Sequence, residues 1–367
     1  MKFATFAVTA VALAASAAAN AQDTQQPAQQ STTNVTLYGV ADAYVQIANG
    51  AANLSRVQSG GLQGSRFGLR ITEDLGGGLR ALAVLESGIN IDDGTNGQNA
   101  FWGRQSYVGI GSASLGTLTL GRQYGSIYNL SSDFSEFSNV STGASTAVIG
   151  GFGGYEPVRG GTTYSATGNG GPARVNNSVK YESPTFAGFK AGALWGFGET
   201  TGSTNEQRVA DVYARYNGYG FDAMVSFVDD KQDLTSQDVR TTSGAVGYTY
   251  GDWHGTAGVI AVNDRSAVDA DGQGFWVGGD YRFGQNLVRA QYVQNKAKNV
   301  NEGKTQAFGV GYQYDLSKRT ALYSAVTRFK NEGDGYGNRW ASAVPAGLTT
   351  ADDRDITEFT AGIRHSF

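Results

Sequence analysis

The chain has 367 residues, 53 of them glycine, roughly twice the usual share of about 7 %, and only 16 % are charged against a typical ~25 %. That composition excludes coiled coils and charged helical bundles, while 40 % hydrophobic residues with 19 Tyr and 18 Phe exclude wholesale disorder. A formal net charge of −4 has the wrong sign for a general nucleic-acid binder, and zero cysteines remove disulfides, thiolate metal sites and cysteine nucleophiles together.

Lys2, an apolar Ala-rich run over 3–19 and the small-residue site Ala19-Asn20-Ala21 predict a signal peptide over 1–21, cut before Gln22. Export follows from it. A polar segment over 22–34 comes next, and nothing beyond approaches the ~18 uninterrupted apolar residues of a spanning helix. Membrane β-barrels remain open, because each of their strands carries only a weak alternating signal of about ten residues.

From residue 35 the chain alternates. Val35, Leu37, Val45 and Ile47 form an oily series against Thr36, Asp42 and Gln46. The split recurs with Phe67, Leu69 and Ile71 against Arg66, Arg70 and Thr72, and with Leu79, Ala83 and Leu85 against Arg80 and Glu86. Farther on, Phe275, Val277, Tyr281 and Phe283 oppose Asp280 and Arg282, and Phe308, Val310, Tyr312 and Tyr314 oppose Gln313. The last strand places Phe359, Ala361, Ile363, His365 and Phe367 on one face. Short turns rich in Gly, Asn or Asp alternate with long polar segments along the whole chain, and the strands between them number sixteen. Even strand numbers, short turns at one end and long loops at the other describe an outer-membrane barrel. A ten-residue strand tilted ~45° rises about 23 Å, close to the ~25 Å apolar band, and sixteen strands leave an aqueous lumen. A soluble β-rich adhesin shares the alternation but has no need of the short-long rhythm, or of Tyr and Phe gathered at strand ends.

Alternation sends Arg66, Arg70, Arg80, Arg104 and Lys180 to the lumen, since charge on the lipid face costs ~2–4 kcal/mol near the midplane. Arg70 and Arg80 are also candidates to brace the wall against Glu86. The segment 125–176 is far longer than ordinary connections and carries Asp133, Glu136, Glu156, Arg159 and Arg174. Tyr124 at its threshold and its own aromatic residues Tyr128, Phe134, Phe137 and Tyr155 either pin the loop to the wall or supply contacts for a substrate-specific channel. Catalysis has little to work with. The chain has two histidines, His254 and His365, and its nearest approach to a nucleophile elbow, Gly143-Ala144-Ser145-Thr146-Ala147, lacks the final Gly. No cofactor is expected, and two histidines without cysteine argue against a zinc site.

Several stretches together resemble a general porin of Gram-negative bacteria, of the betaproteobacterial type. They are Val35-Thr36-Leu37-Tyr38-Gly39-Val40-Ala41-Asp42, Ser65-Arg66-Phe67-Gly68-Leu69-Arg70, Gly121-Arg122-Gln123-Tyr124, Asn177-Ser178-Val179-Lys180-Tyr181 and Gly362-Ile363-Arg364-His365-Ser366-Phe367. The resemblance implies an all-β fold, a sixteen-stranded antiparallel transmembrane β-barrel over 35–367, with a long third outer loop (125–176) folded inward to constrict the pore. It implies a homotrimer in the outer membrane, passive diffusion of small hydrophilic solutes and ions, and contact with outer-membrane lipid and lipopolysaccharide. It further implies periplasmic chaperones and a barrel-assembly machinery that reads Phe367, with Ile363 and His365 on the same face. The family's motifs place Arg66 and Arg104 in the basic cluster at the constriction, and alternation adds Arg70 and Lys180 to that wall; the inward loop carries Asp133, Glu136, Glu156 and Arg159 as candidates to face it. Where related porins carry an acidic residue before the Phe-Gly-Gly of the loop, this chain has Gly151.

Overall fold

The computed structural model describes residues 33–50, 53–137, 173–231, 238–265, 271–297, 304–332 and 355–367. The expected signal peptide, Glu156, Arg159 and Tyr155 lie outside them. In chain order the strands are β1 (Thr33–Asn49), β2 (Asn53–Ser59), β3 (Arg66–Gly76), β4 (Leu79–Gly88), β5 (Gln105–Ser112), β6 (Gly116–Tyr124), β7 (Arg174–Glu182), β8 (Phe189–Gly196) and β9 (Val209–Gly218). They continue with β10 (Phe221–Lys231), β11 (Asp238–Tyr250), β12 (Trp253–Asp264), β13 (Gly272–Phe283), β14 (Asn286–Ala297), β15 (Lys304–Asp315), β16 (Thr320–Glu332) and β17 (Ile356–Ser366). One α-helix, α1 (Ser126–Asp133), follows β6. No helix among the described residues is long and apolar enough to cross a membrane. The crossing is made by strands.

All pairings are antiparallel, β3 to β17 pair in chain order, and the ring closes where β1 meets β17, from Val40 opposite Ser366 to Asn49 opposite Thr357. On its other edge β1 pairs with β2 over Ala43 to Asn49 and with β3 over Thr33 to Val40. The two short strands are therefore one stave interrupted at residues 60–65, so seventeen segments build the expected sixteen staves. The interruption has a specific cause. Asp42, fully buried, accepts the backbone N–H groups of Gly61, Leu62 and Gln63 at 3.0, 2.9 and 2.8 Å and the hydroxyl of Tyr323. Those amides, diverted from the ladder, curl around a carboxylate instead. Gly61 is required there, since a Cβ would lie 1.9 Å from the Tyr323 hydroxyl oxygen.

Burial confirms the alternation and inverts the pattern of a soluble protein. Along β1, Val35, Leu37, Val45 and Ile47 are exposed while Asp42 and Gln46 are buried; along β10, Val225 and Phe227 are exposed while Ser226 is buried. Apolar side chains in contact with solvent-sized space make sense only against lipid. Rings meet across neighbouring strands beside the short turns, as in Phe189 with Tyr216, Phe221 with Tyr248 and Trp253 with Tyr281, at 4.4–4.8 Å between centroids. They form the interfacial belt that amphipathic rings favour. At the seam, Phe367 exchanges backbone hydrogen bonds with Gly39, and its ring covers the space a Cβ on Gly39 would need. Ile363, His365 and Phe367 share the outward face.

Candidate constriction of the lumen

Two opposed stretches of inner wall carry the charged groups. On the first, β1 and β3–β7 gather around Glu86, whose carboxylate accepts from Tyr38 at 2.9 Å, Tyr124 at 2.6 Å and Arg104 Nε at 2.8 Å, with Arg66 Nε at 3.7 Å. Arg104 also donates to the Tyr128 hydroxyl at 2.9 Å. Tyr124, at the end of β6, and Tyr128, in the first turns of α1, stack face to face at 3.8 Å. The Arg174 guanidinium lies 5.3 and 5.1 Å from these two rings, and that of Arg70 4.9 Å over Tyr38. Lys180 and Lys190 share Glu182 at 3.6 and 3.1 Å. Cations thus crowd this wall around two carboxylates, Glu86 and Glu182, and stacking on Tyr38 holds the Arg70 guanidinium without neutralising it.

The second stretch, β9–β15, is covered. Leaving β6 at Gly125, the segment forms α1 and runs along the inner face of the wall as far as Phe137. The Ser126 N–H donates to Asp211 at 2.6 Å, Asp133 pairs with Arg215 at 2.6 Å, and Trp276 Nε1 donates to the Phe134 carbonyl at 2.6 Å. Gln291 accepts from the Ser135 hydroxyl and the Glu136 N–H, both at 3.1 Å, and Arg289 donates to the Glu136 carbonyl at 2.7 Å. Ile127, Leu130 and Phe134 pack into a patch with Met224, Val228, Ile260, Trp276 and Val293. Burial of such side chains contributes about 1.5–3 kcal/mol each, so apolar contact holds the segment more firmly than its ion pairs do. The wall is shaped to receive it. A Cβ on Gly278 would lie 2.6 Å from Glu136 Cγ, and one on Gly311 2.8 Å from the Phe137 ring.

The loop acids are spent on this anchoring. Glu136 has a side chain only 1 % exposed; it accepts from Thr256 at 2.8 Å and stands 3.8 Å from His254, which is 3.3 Å from Asp280. Burial pushes the Glu136 carboxyl up, against the opposing pull of its bonds to His254 and Thr256. Of the acids expected on the loop, Glu136 therefore faces the wall, Asp133 is paired, and Glu156 with Arg159 lies outside the described residues. Among the expected basic residues, Arg66, Arg70 and Lys180 reach the lumen side, whereas the Arg104 side chain is 5 % exposed and serves Glu86. Glu86 takes Arg104 and Arg66 rather than the expected Arg70 and Arg80, because Arg104 enters from the β4–β5 connection, where strand alternation gives no guide. Tyr38, Arg215, Trp276 and Gln291 were not anticipated. Gly278 and Gly311, each on the inner face of a strand, were the available signal that something presses on that wall.

A closed sixteen-stave barrel with charged groups gathered on its inner wall matches known proteins over nearly its whole length. The model of the Gram-negative porin family covers residues 7–334. The chain belongs to the Gram-negative porin family. An outer membrane porin, protein 32 of Delftia acidovorans, is 31 % identical to it over 93 % of this chain and 96 % of that one. One from Bordetella pertussis is 28 % identical over 93 % and 96 %. Among solved structures, an anion-selective porin from Comamonas acidovorans superposes with a TM-score of 0.76 at 28 % identity, covering 92 % of this chain and all of the other. This porin is thus an outer-membrane protein of the Gram-negative type, and its barrel is a passive, water-filled channel for small hydrophilic solutes and ions.

Proposed function

We propose that the porin is a general diffusion channel whose constriction favours small anions, with a narrow section between the β3–β7 wall and the loop laid against β9–β15. One observation carries the reading: on the first wall Arg66, Arg70 and Lys180 face the lumen around few carboxylates, while on the second wall Asp133 and Glu136 are matched by Arg215, Thr256 and His254. The similarity to an anion-selective porin supports the same sign. A unit charge about 8 Å from a passing ion contributes ~0.5 kcal/mol at water's dielectric and ~2 at an effective value of 20, enough to sort ions and too little to trap them. The test is the reversal potential of single channels in a salt gradient, expected on the anion side. A cation-side potential in the unmodified protein would reject the assigned sign.

The remaining parts of the reading follow the same family. Residues 1–21 are removed on export, residues 22–34 precede the barrel, and three copies assemble in the outer membrane among lipid and lipopolysaccharide. Phe367, seated on Gly39 with Ile363 and His365 on the same outward face, is read by the assembly machinery after delivery by periplasmic chaperones. The protein acts by permeation rather than catalysis, and requires no cofactor for it.

A further inference from the structure

We propose that Glu136, His254 and Asp280 form a binding site for a divalent transition-metal cation of the zinc class, which clamps the start of the 125–176 segment to β12 and β13. The three residues come from three separate parts of the chain: the stretch after α1, the second residue of β12 and the short-turn end of β13. His254 Nδ1 lies 3.3 Å from Asp280 Oδ2 and 3.8 Å from Glu136 Oε2, and ligand atoms of all three lie within 4.8 Å of one another. Metal bonds of about 2.0–2.2 Å at tetrahedral angles set ligand atoms roughly 3.3–3.6 Å apart, so an ion would draw the set in by about 1 Å at its widest.

Two carboxylates and an imidazole nitrogen directed at one point require positive charge at that point, supplied by a proton or a metal. The ligand types choose among metals. One nitrogen with two carboxylate oxygens suits zinc and its neighbours, whereas calcium takes six to eight oxygens and copper(I) seeks sulfur. Support around the triad has the form such sites take. The Thr256 hydroxyl bonds Glu136 Oε1, leaving Oε2 toward His254, and only a glycine at 278 leaves room for the Glu136 side chain. Glu136 is buried while the side chains of His254 and Asp280 are 32 % and 21 % exposed, so an ion arrives from the lumen and water completes its coordination. Two histidines and no cysteine count against a zinc site built from those ligands alone. A site with two carboxylates needs a single histidine, and strand pairing supplies the proximity that spacing along the chain does not show.

The test is titration of the full-length folded protein in detergent with Zn²⁺ by calorimetry. Background is low, since the chain has no cysteine and a single further histidine, His365. One ion per chain is expected, with His254→Ala and Glu136→Gln each weakening binding at least about tenfold and His365→Ala leaving it unchanged. Absence of saturable binding, or binding lost with His365→Ala and kept with His254→Ala, overturns the proposal. Should the His254 and Glu136 variants fail to fold, Cu²⁺ added to the His365→Ala protein, in which His254 is the single histidine, decides by electron paramagnetic resonance. Hyperfine splitting from one nitrogen is expected, and a spectrum without nitrogen coupling overturns the site.

Discussion

The two sides of the lumen use the same side chains to opposite ends. On the β3–β7 wall, cations outnumber the carboxylates they share: Arg66 and Arg104 meet at Glu86, Lys180 and Lys190 at Glu182, and the Arg70 guanidinium lies over the neutral Tyr38 ring. On the β9–β15 wall, charge is consumed. Arg215 lies between Asp133 and Asp222, Arg289 donates to a backbone carbonyl, and Glu136 is sealed under its own loop. A charged residue in a pore lining is therefore no measure of the pore's potential; what counts is whether its partner is another charge or a neutral ring.

The largest effect is expected at Glu86. Glu86→Gln leaves the buried Arg104 guanidinium without its counter-ion, a loss of about 3–5 kcal/mol for a broken buried pair, and a lowered unfolding midpoint in denaturant should report it. Next comes the receiving wall. Gly278→Ala puts a methyl group 2.6 Å from Glu136 Cγ, and such overpacking costs about 1–3 kcal/mol. Displacement of the loop should change single-channel conductance while the strand content seen by circular dichroism stays constant. Arg66→Gln combined with Arg70→Gln removes lumen-facing charge directly. The anion-to-cation permeability ratio should fall at least about twofold, the factor matching ~0.5 kcal/mol at water's dielectric, and an unchanged reversal potential would break the contrast between the walls. The smallest effect belongs to Asp133→Asn. Arg215 keeps Asp222 at 2.5 Å, and a half-exposed pair contributes about 0–1 kcal/mol, so stability should barely move in the same denaturant assay.

Much of the barrel was legible because alternation is a local property. Val35 to Ile47 declares its two faces within a few residues, and the sixteen staves follow from repeating that reading. Placement of Arg66, Arg70 and Lys180 on the inner face comes from the same rule. What the sequence left hidden depends on contacts across the lumen. Arg104 sits on a connection with no periodicity to orient it, and the fate of Glu136 depends on Thr256, His254 and Asp280, more than a hundred residues away. The break between β2 and β3 was equally concealed, because its cause is a buried Asp42 bonded to Tyr323 from the opposite end of the chain.

That break bears on how the barrel tolerates change in chain length. Between the pairs Ala43–Ser59 and Val40–Arg66, two residues of β1 face six residues, 60–65. Arg56 before the detour and Arg66 after it both point inward. Residues 60–65 leave the ladder, so the pleat sets no parity on their number; what ties the two ends together is the Asp42 carboxylate holding the amides of Gly61, Leu62 and Gln63. A change of length here is therefore taken up outside the registers of β2 and β3, provided that those amides still reach Asp42.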